Sequence, residues 1–153
     1  MPKPMTSPRE ACTCFKLRSL TRQVTALYDS EILPTGLTVT QFSMLAVLMQ
    51  ARTEGTAPTI GEFARAMVMD RTTVTRGIAP LLELGLVRYA DAKAQARDAR
   101  SKLLEITPAG ERAWHDARPA WRRAQARLQA LLGEAMYAGL RVDLDRAHAL
   151  LGV

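Results

Sequence analysis

Between residues 59 and 85 the chain carries helix start and stop signals packed so closely that only two short helices joined by a tight turn satisfy them. Thr59 and Glu62 have the spacing of a capping box, in which the hydroxyl accepts a first-turn amide and the carboxylate reaches back to the cap's own N–H. A helix therefore begins at Ile60, buries Ile60, Phe63 and Met67, and ends near Val68. Asp70 is a second N-cap, opening a helix to about Leu84, and Gly85 is placed to close it. Val74, Ile78, Leu81 and Leu82 share the inner side of this second helix, which leaves Arg71, Thr72, Thr73, Thr75 and Arg76 facing outward. The spacing predicts a helix-turn-helix.

Around this pair the apolar pattern is helical almost everywhere. In residues 11–33 Leu17, Leu20, Val24 and Leu27 recur at three and four residues, and Pro34-Thr35-Gly36 stops the helix. Phe42, Leu45, Ala46, Leu48 and Met49 mark a largely buried helix behind Thr38 or Thr40, ahead of a loop over 52–58. After Gly85 the period changes. Leu86-Val87-Arg88-Tyr89 and Leu103-Leu104-Glu105-Ile106 suit two short antiparallel strands around a polar run, the shape of a wing. Thr107-Pro108 starts a helix to about Leu132, because Thr caps and a proline at the first helical position leaves no amide unpaired. Along it Trp114, Trp121 and Leu128 recur every seven residues, and beyond Gly133 lie Leu140, Leu144, Ala147 and Leu151 on one stripe. The terminal helices carry more apolar face than one small domain needs, which points to pairing with a second copy; the Trp114, Trp121 and Leu128 stripe could equally be internal core, with the pairing resting on the Leu140 to Leu151 stripe. The expected architecture is mainly α with a small β-wing: a flexible arm at 1–10, dimerisation helices at 11–36 and 108–153, and a winged helix-turn-helix at 37–107.

Lys and Arg number 21 against 15 Asp and Glu, a net charge of +6 that attracts a polyanion such as nucleic acid or an anionic membrane face. No apolar run is long enough to span a bilayer, and the start of the chain lacks the apolar middle of a secretion signal, so a cytoplasmic location is expected and no membrane partner. Cys12 and Cys14, two apart at a helix start, point in divergent directions, which excludes a disulfide scaffold. There is no phosphate-cradling glycine loop and no nucleophile elbow, and His115 and His148 lie far apart. No catalytic residue, metal site or cofactor is expected.

The most specific pattern lies at the wing: Asp98-Ala99-Arg100, then Leu103 to Ile106, then Thr107-Pro108-Ala109-Gly110. With the run from Asp70 to Arg76 and the segment Leu82-Glu83-Leu84-Gly85-Leu86-Val87, the chain resembles the MarR family of winged-helix transcription regulators from about Cys14 to Leu151. Ile106 stands in for the family's usual Leu. Pro80 departs more seriously, since a proline inside the recognition helix removes a backbone hydrogen bond and is expected to kink or shorten it. The resemblance implies a homodimer that binds an inverted-repeat operator in double-stranded DNA as a repressor and is released by a small aromatic or phenolic ligand.

A helix fits the major groove, where an arginine fork matches O6 and N7 of guanine. Arg71 and Arg76 are the expected base readers, with Thr72, Thr73 and Thr75 divided between bases and phosphates. Arg71 could instead be a solvated charge or pair with Asp70, and any one Thr could simply cap or pack. In the wing, Arg88, Lys93, Arg97, Arg100 and Lys102 outweigh Asp91 and Asp98. Arg97 and Arg100 are candidates for a neighbouring minor groove, and Lys102 belongs with the DNA-contacting set. The resemblance implies that Asp98 positions the wing arginine, the alternative being that Asp98 and Arg100 only staple the loop. Phe15, Arg18, Arg22 and Tyr28 are candidate ligand contacts, unless they form ordinary helix surface and interface. Cys14-Phe15 with Tyr28 also resembles the start of the peroxide-sensing branch, so redox sensing through Cys14 stands as an alternative, as does a winged helix that docks on protein.

Overall fold

The computed structural model describes residues 12–90 and 102–152, so the expected arm at 1–10 and the wing residues Lys93, Arg97, Asp98 and Arg100 lie outside it. Helix α1 spans Thr13–Ile32 and ends in a 3-10 turn at Leu33–Thr35; α2 spans Val39–Thr53, α3 Ile60–Ala66 and α4 Arg71–Glu83. Strands β1, Val87–Ala90, and β2, Leu103–Ile106, precede α5, Pro108–Leu132, and α6, Glu134–Leu151. Among the described residues no single helix is long and apolar enough to cross a membrane.

Side-chain caps set these starts. Thr38, not Thr40, caps α2 and completes a capping box with Gln41, while Thr59 and Glu62 form the one expected at α3. Asp70 accepts the Thr73 amide at α4, and Thr107 accepts the Gly110 amide at α5. The end of α4 is closed as expected: Gly85, at φ 67°, donates to the Leu82 carbonyl and Leu86 to that of Leu81.

One core joins the helix-turn-helix to α5. Phe42, Met44, Leu45 and Leu48 of α2, Phe63 of α3, and Val74, Ile78 and Leu81 of α4 meet Val87, Leu104 and Ile106 of the strands and Ala117 and Ala120 of α5. Trp114 and Trp121 stack on Phe42 with centroids 6.0 and 6.1 Å away. Of the two readings of the seven-residue repeat, the tryptophans thus follow the inward one: Trp114 and Trp121 belong to the chain's own core. Pro80 does not shorten α4, which continues to Glu83. Its cost is the single bond an amide at 80 would have given to the Arg76 carbonyl, one turn back.

The strands pair antiparallel with Val87 opposite Ile106 and Ala90 opposite Leu103, and Thr59 adds an isolated bridge to Leu103. Where the wing meets α5, Thr107 does three things at once. Its amide donates to the Leu86 carbonyl, its hydroxyl donates to the Gly85 carbonyl, and the same oxygen caps Gly110. This draws the helix so close that a Cβ at Gly110 would lie 2.0 Å from the Leu86 carbonyl oxygen. The turn between α3 and α4 is also tight: Val68 donates to the Arg65 carbonyl and Met69 to that of Ala64, which puts Val68 at φ 52° with its side chain 51% exposed. A branched side chain is strained in that left-handed region.

Two opposite stability changes follow. Gly110→Ala, whose clash is with backbone, is expected to lose about 3 kcal/mol in denaturant unfolding. Val68→Gly is expected to gain about 0.5–1 kcal/mol, the relieved strain exceeding the extra freedom glycine gives the unfolded chain.

Candidate nucleic-acid interface

Amphipathic spacing in α4 buries Val74, Ile78 and Leu81 completely and turns its first two turns outward. Arg71, Thr72, Thr73, Thr75 and Arg76 are all exposed, so the structure brings the five predicted recognition-helix residues onto one free surface. Their polar groups are not equally available. Thr73 donates its hydroxyl to Asp70 Oδ2 at 2.6 Å, and Thr75 donates to the Arg71 carbonyl at 2.7 Å. Both retain methyls and lone pairs for a partner, but their protons are engaged in the helix. Thr72 has no side-chain hydrogen bond, and Arg71 and Arg76 have no carboxylate partner, among the described residues. The ion pair considered for Arg71 and Asp70 is therefore not formed, because Asp70 is occupied by Thr73.

At the wing base the charge is more balanced than the sequence suggests. Arg88 makes a cross-strand ion pair with Glu105 at 2.9 Å, and Lys102 holds its ammonium 5.1 Å from the Tyr89 ring centroid. Two of the five basic residues counted there thus have local partners, but only the charge of Arg88 is balanced by a carboxylate; the Tyr89 ring leaves the Lys102 ammonium a full positive charge.

The expected sensing residues do not converge. Cys14, Phe15, Arg18 and Arg22 lie exposed along the first half of α1, with Cys12 capping the helix through its sulfur. Tyr28 stands roughly 20 Å further along the helix from Phe15, by the 1.5 Å rise per residue. It faces a cleft of about 360 Å³ between α1, α5 and α6, where Leu17, Leu20, Val24, Leu128, Leu140 and Leu144 form the apolar bed. The Tyr28 hydroxyl donates to Gln125 Oε1. Burial first, and the neighbouring Tyr137 second, push its pKa above the usual tyrosine value, against the pull of Arg141. Gln125, Tyr137 and Arg141 were not singled out from sequence, since each is an ordinary polar residue on a long helix until tertiary packing brings them together. Among the described residues no cluster of three His, Cys, Asp or Glu could hold a metal ion.

The MarR family matches residues 35–101 of the chain. The transcriptional regulator MosR of M. tuberculosis is 33% identical, with 94% of this chain and 97% of that one covered and a TM-score of 0.77. The same regulator in complex with DNA is 34% identical over 93% of this chain and 99% of that one, with a TM-score of 0.73. A probable transcriptional regulator from Pseudomonas aeruginosa is 26% identical over 90% and 97%, with a TM-score of 0.76. Comparison with curated proteins gave no match.

The Asp70 cap sets a pH dependence. Hydrogen bonds from the Thr73 hydroxyl and then its amide hold this carboxyl below the ordinary aspartate value in the folded chain. The charged cap therefore contributes fully above the unfolded value, near 4, and its contribution is lost as pH falls through the lower folded value. Asp70→Asn keeps the cap without the titration. The stability gap between wild type and this variant, read by thermal unfolding, should be constant near neutrality and close on acidification below about pH 4.

Proposed function

Because the chain belongs to the MarR family of transcription regulators, we propose that it is a sequence-specific double-stranded DNA-binding repressor that acts as a homodimer on an inverted repeat. The observation that carries this reading is the exposed first half of α4, where two arginines with no carboxylate partner among the described residues stand on a helix anchored from behind by Val74, Ile78 and Leu81. In the major groove Arg71 and Arg76 would read guanine edges and Thr72 would bond phosphate or base. Lys102 with Arg97 and Arg100, the last two positioned through Asp98, would extend the contact toward a flanking minor groove.

Pairing is supported by α6. Its 18 residues include none that is buried, and Met136, Val142 and Leu150 are 62, 65 and 81% exposed. With Phe15, Leu17 and Leu20 of α1 also exposed, this is a larger apolar surface than a solitary chain keeps in water. A two-fold partner would cover it and set two copies of α4 about 34 Å apart, one DNA turn. A dimer seated across a promoter represses by occupying it. A small aromatic or phenolic ligand in the Tyr28 cleft, bounded by the same helices, would release it by altering the pairing.

The test is selection of a duplex from random sequence by the purified protein, followed by titration of Arg76→Ala. The selected site should be an inverted repeat, and the variant should lose about 1–3 kcal/mol on it while binding unrelated DNA nearly as before. Failure to enrich any sequence, or equal binding of both duplexes by both proteins, would contradict the proposal.

A further inference from the structure

We propose that Gly61 is a positioning residue for base readout, the seat on which the Arg71 guanidinium is held. The inference deepens the regulator reading and rests on it. Arg71 opens α4, yet its side chain lies back across the first turn of α3. A Cβ built on Gly61 would stand 2.6 Å from Arg71 Nη2 and 3.3 Å from both Cζ and Nε. Nη2 therefore occupies space that a Cβ at 61 would need, and Cζ and Nε would be left in tight contact with it.

Nothing in the backbone calls for glycine at this point. Gly61 lies in the first turn of α3 and is not among the positive-φ glycines, so a helical alanine would suit its conformation and raise helix propensity by up to about 1 kcal/mol. The space, not the torsion angle, makes glycine useful. Gly61 is buried while Arg71 is exposed, and no described carboxylate ties the guanidinium down. Close packing on α3 is what limits a side chain that would otherwise sample many rotamers. A guanidinium already restricted loses less freedom when it meets a guanine edge.

A double-mutant cycle on the selected duplex tests this, with Gly61→Ala, Arg71→Ala and the double variant each checked for folding by thermal melting. Gly61→Ala should melt at or above the wild-type temperature. It should bind the duplex roughly 5- to 10-fold more weakly and relax preference at the same base pair as Arg71→Ala. The double variant should bind no more weakly than Arg71→Ala alone. An independent readout is the Arg71 Nε–H resonance, expected to be distinct in wild type and averaged in Gly61→Ala. Wild-type affinity and base preference in Gly61→Ala, or losses that multiply in the double variant, would overturn the assignment while leaving the regulator reading intact. If the wild-type chain selects no duplex at all, that reading itself fails, and an unchanged Arg71 resonance in Gly61→Ala overturns the seat without reference to DNA.

Discussion

Phe42, flanked by Trp114 and Trp121, is the joint on which the rest of the structure depends. It lies on α2, the central helix of the DNA-reading unit, whereas the tryptophans lie on α5, which runs on into the apolar C-terminal hairpin. Aromatic rings packed in a dense core do not slide continuously, so the joint fixes the angle between the two parts. The Thr107 and Gly110 junction fixes the same angle from the wing side, through backbone contacts too short for any side chain at 110. In the proposed dimer, whatever sets the relation between two copies of α5 and α6 would thereby be conveyed to α4.

This coupling is what would give the terminal helices their role in the proposed dimer. An 18-residue helix with no buried residue contributes little to a solitary chain, because helix stability in proteins comes mainly from packing of one face. Its apolar stripe gains meaning once a partner covers it. Along the other side of α1 the contacts are internal and polar at the rim: Arg123 and Arg127 reach Glu31 on α1, and Tyr28 reaches Gln125. The α1 and α5 pair thus forms a platform within one chain, with α6 left open above it.

The parts of this arrangement that were legible in the sequence are those governed by contacts a few residues apart. Thr59 with Glu62, Asp70, Gly85 and Thr107-Pro108 each name a helix end through a local hydrogen bond, and the observed ends fall within two residues of those expected. The outward face of α4 follows from the same periodicity. The Trp114, Trp121 and Leu128 repeat was ambiguous because an apolar stripe has the same spacing whether it meets its own domain or a second copy; only the position of Phe42 decides it. Val68 in the left-handed region carries no residue-level signal, since glycine or asparagine is the usual occupant there. The closeness of Gly61 to Arg71 and of Tyr28 to Tyr137 depends on how separate helices meet, which local spacing does not encode.

If the aromatic joint makes the proposed dimer a rigid caliper, the distance between half-sites matters as much as their sequence. The direct measurement is affinity for the selected operator against the same operator with about 5 base pairs, half a helical turn, inserted at its centre. The account predicts that the insertion reduces binding to the level of a single half-site. Undiminished affinity for the lengthened site would show that the two reading helices move independently, contrary to the coupling described above.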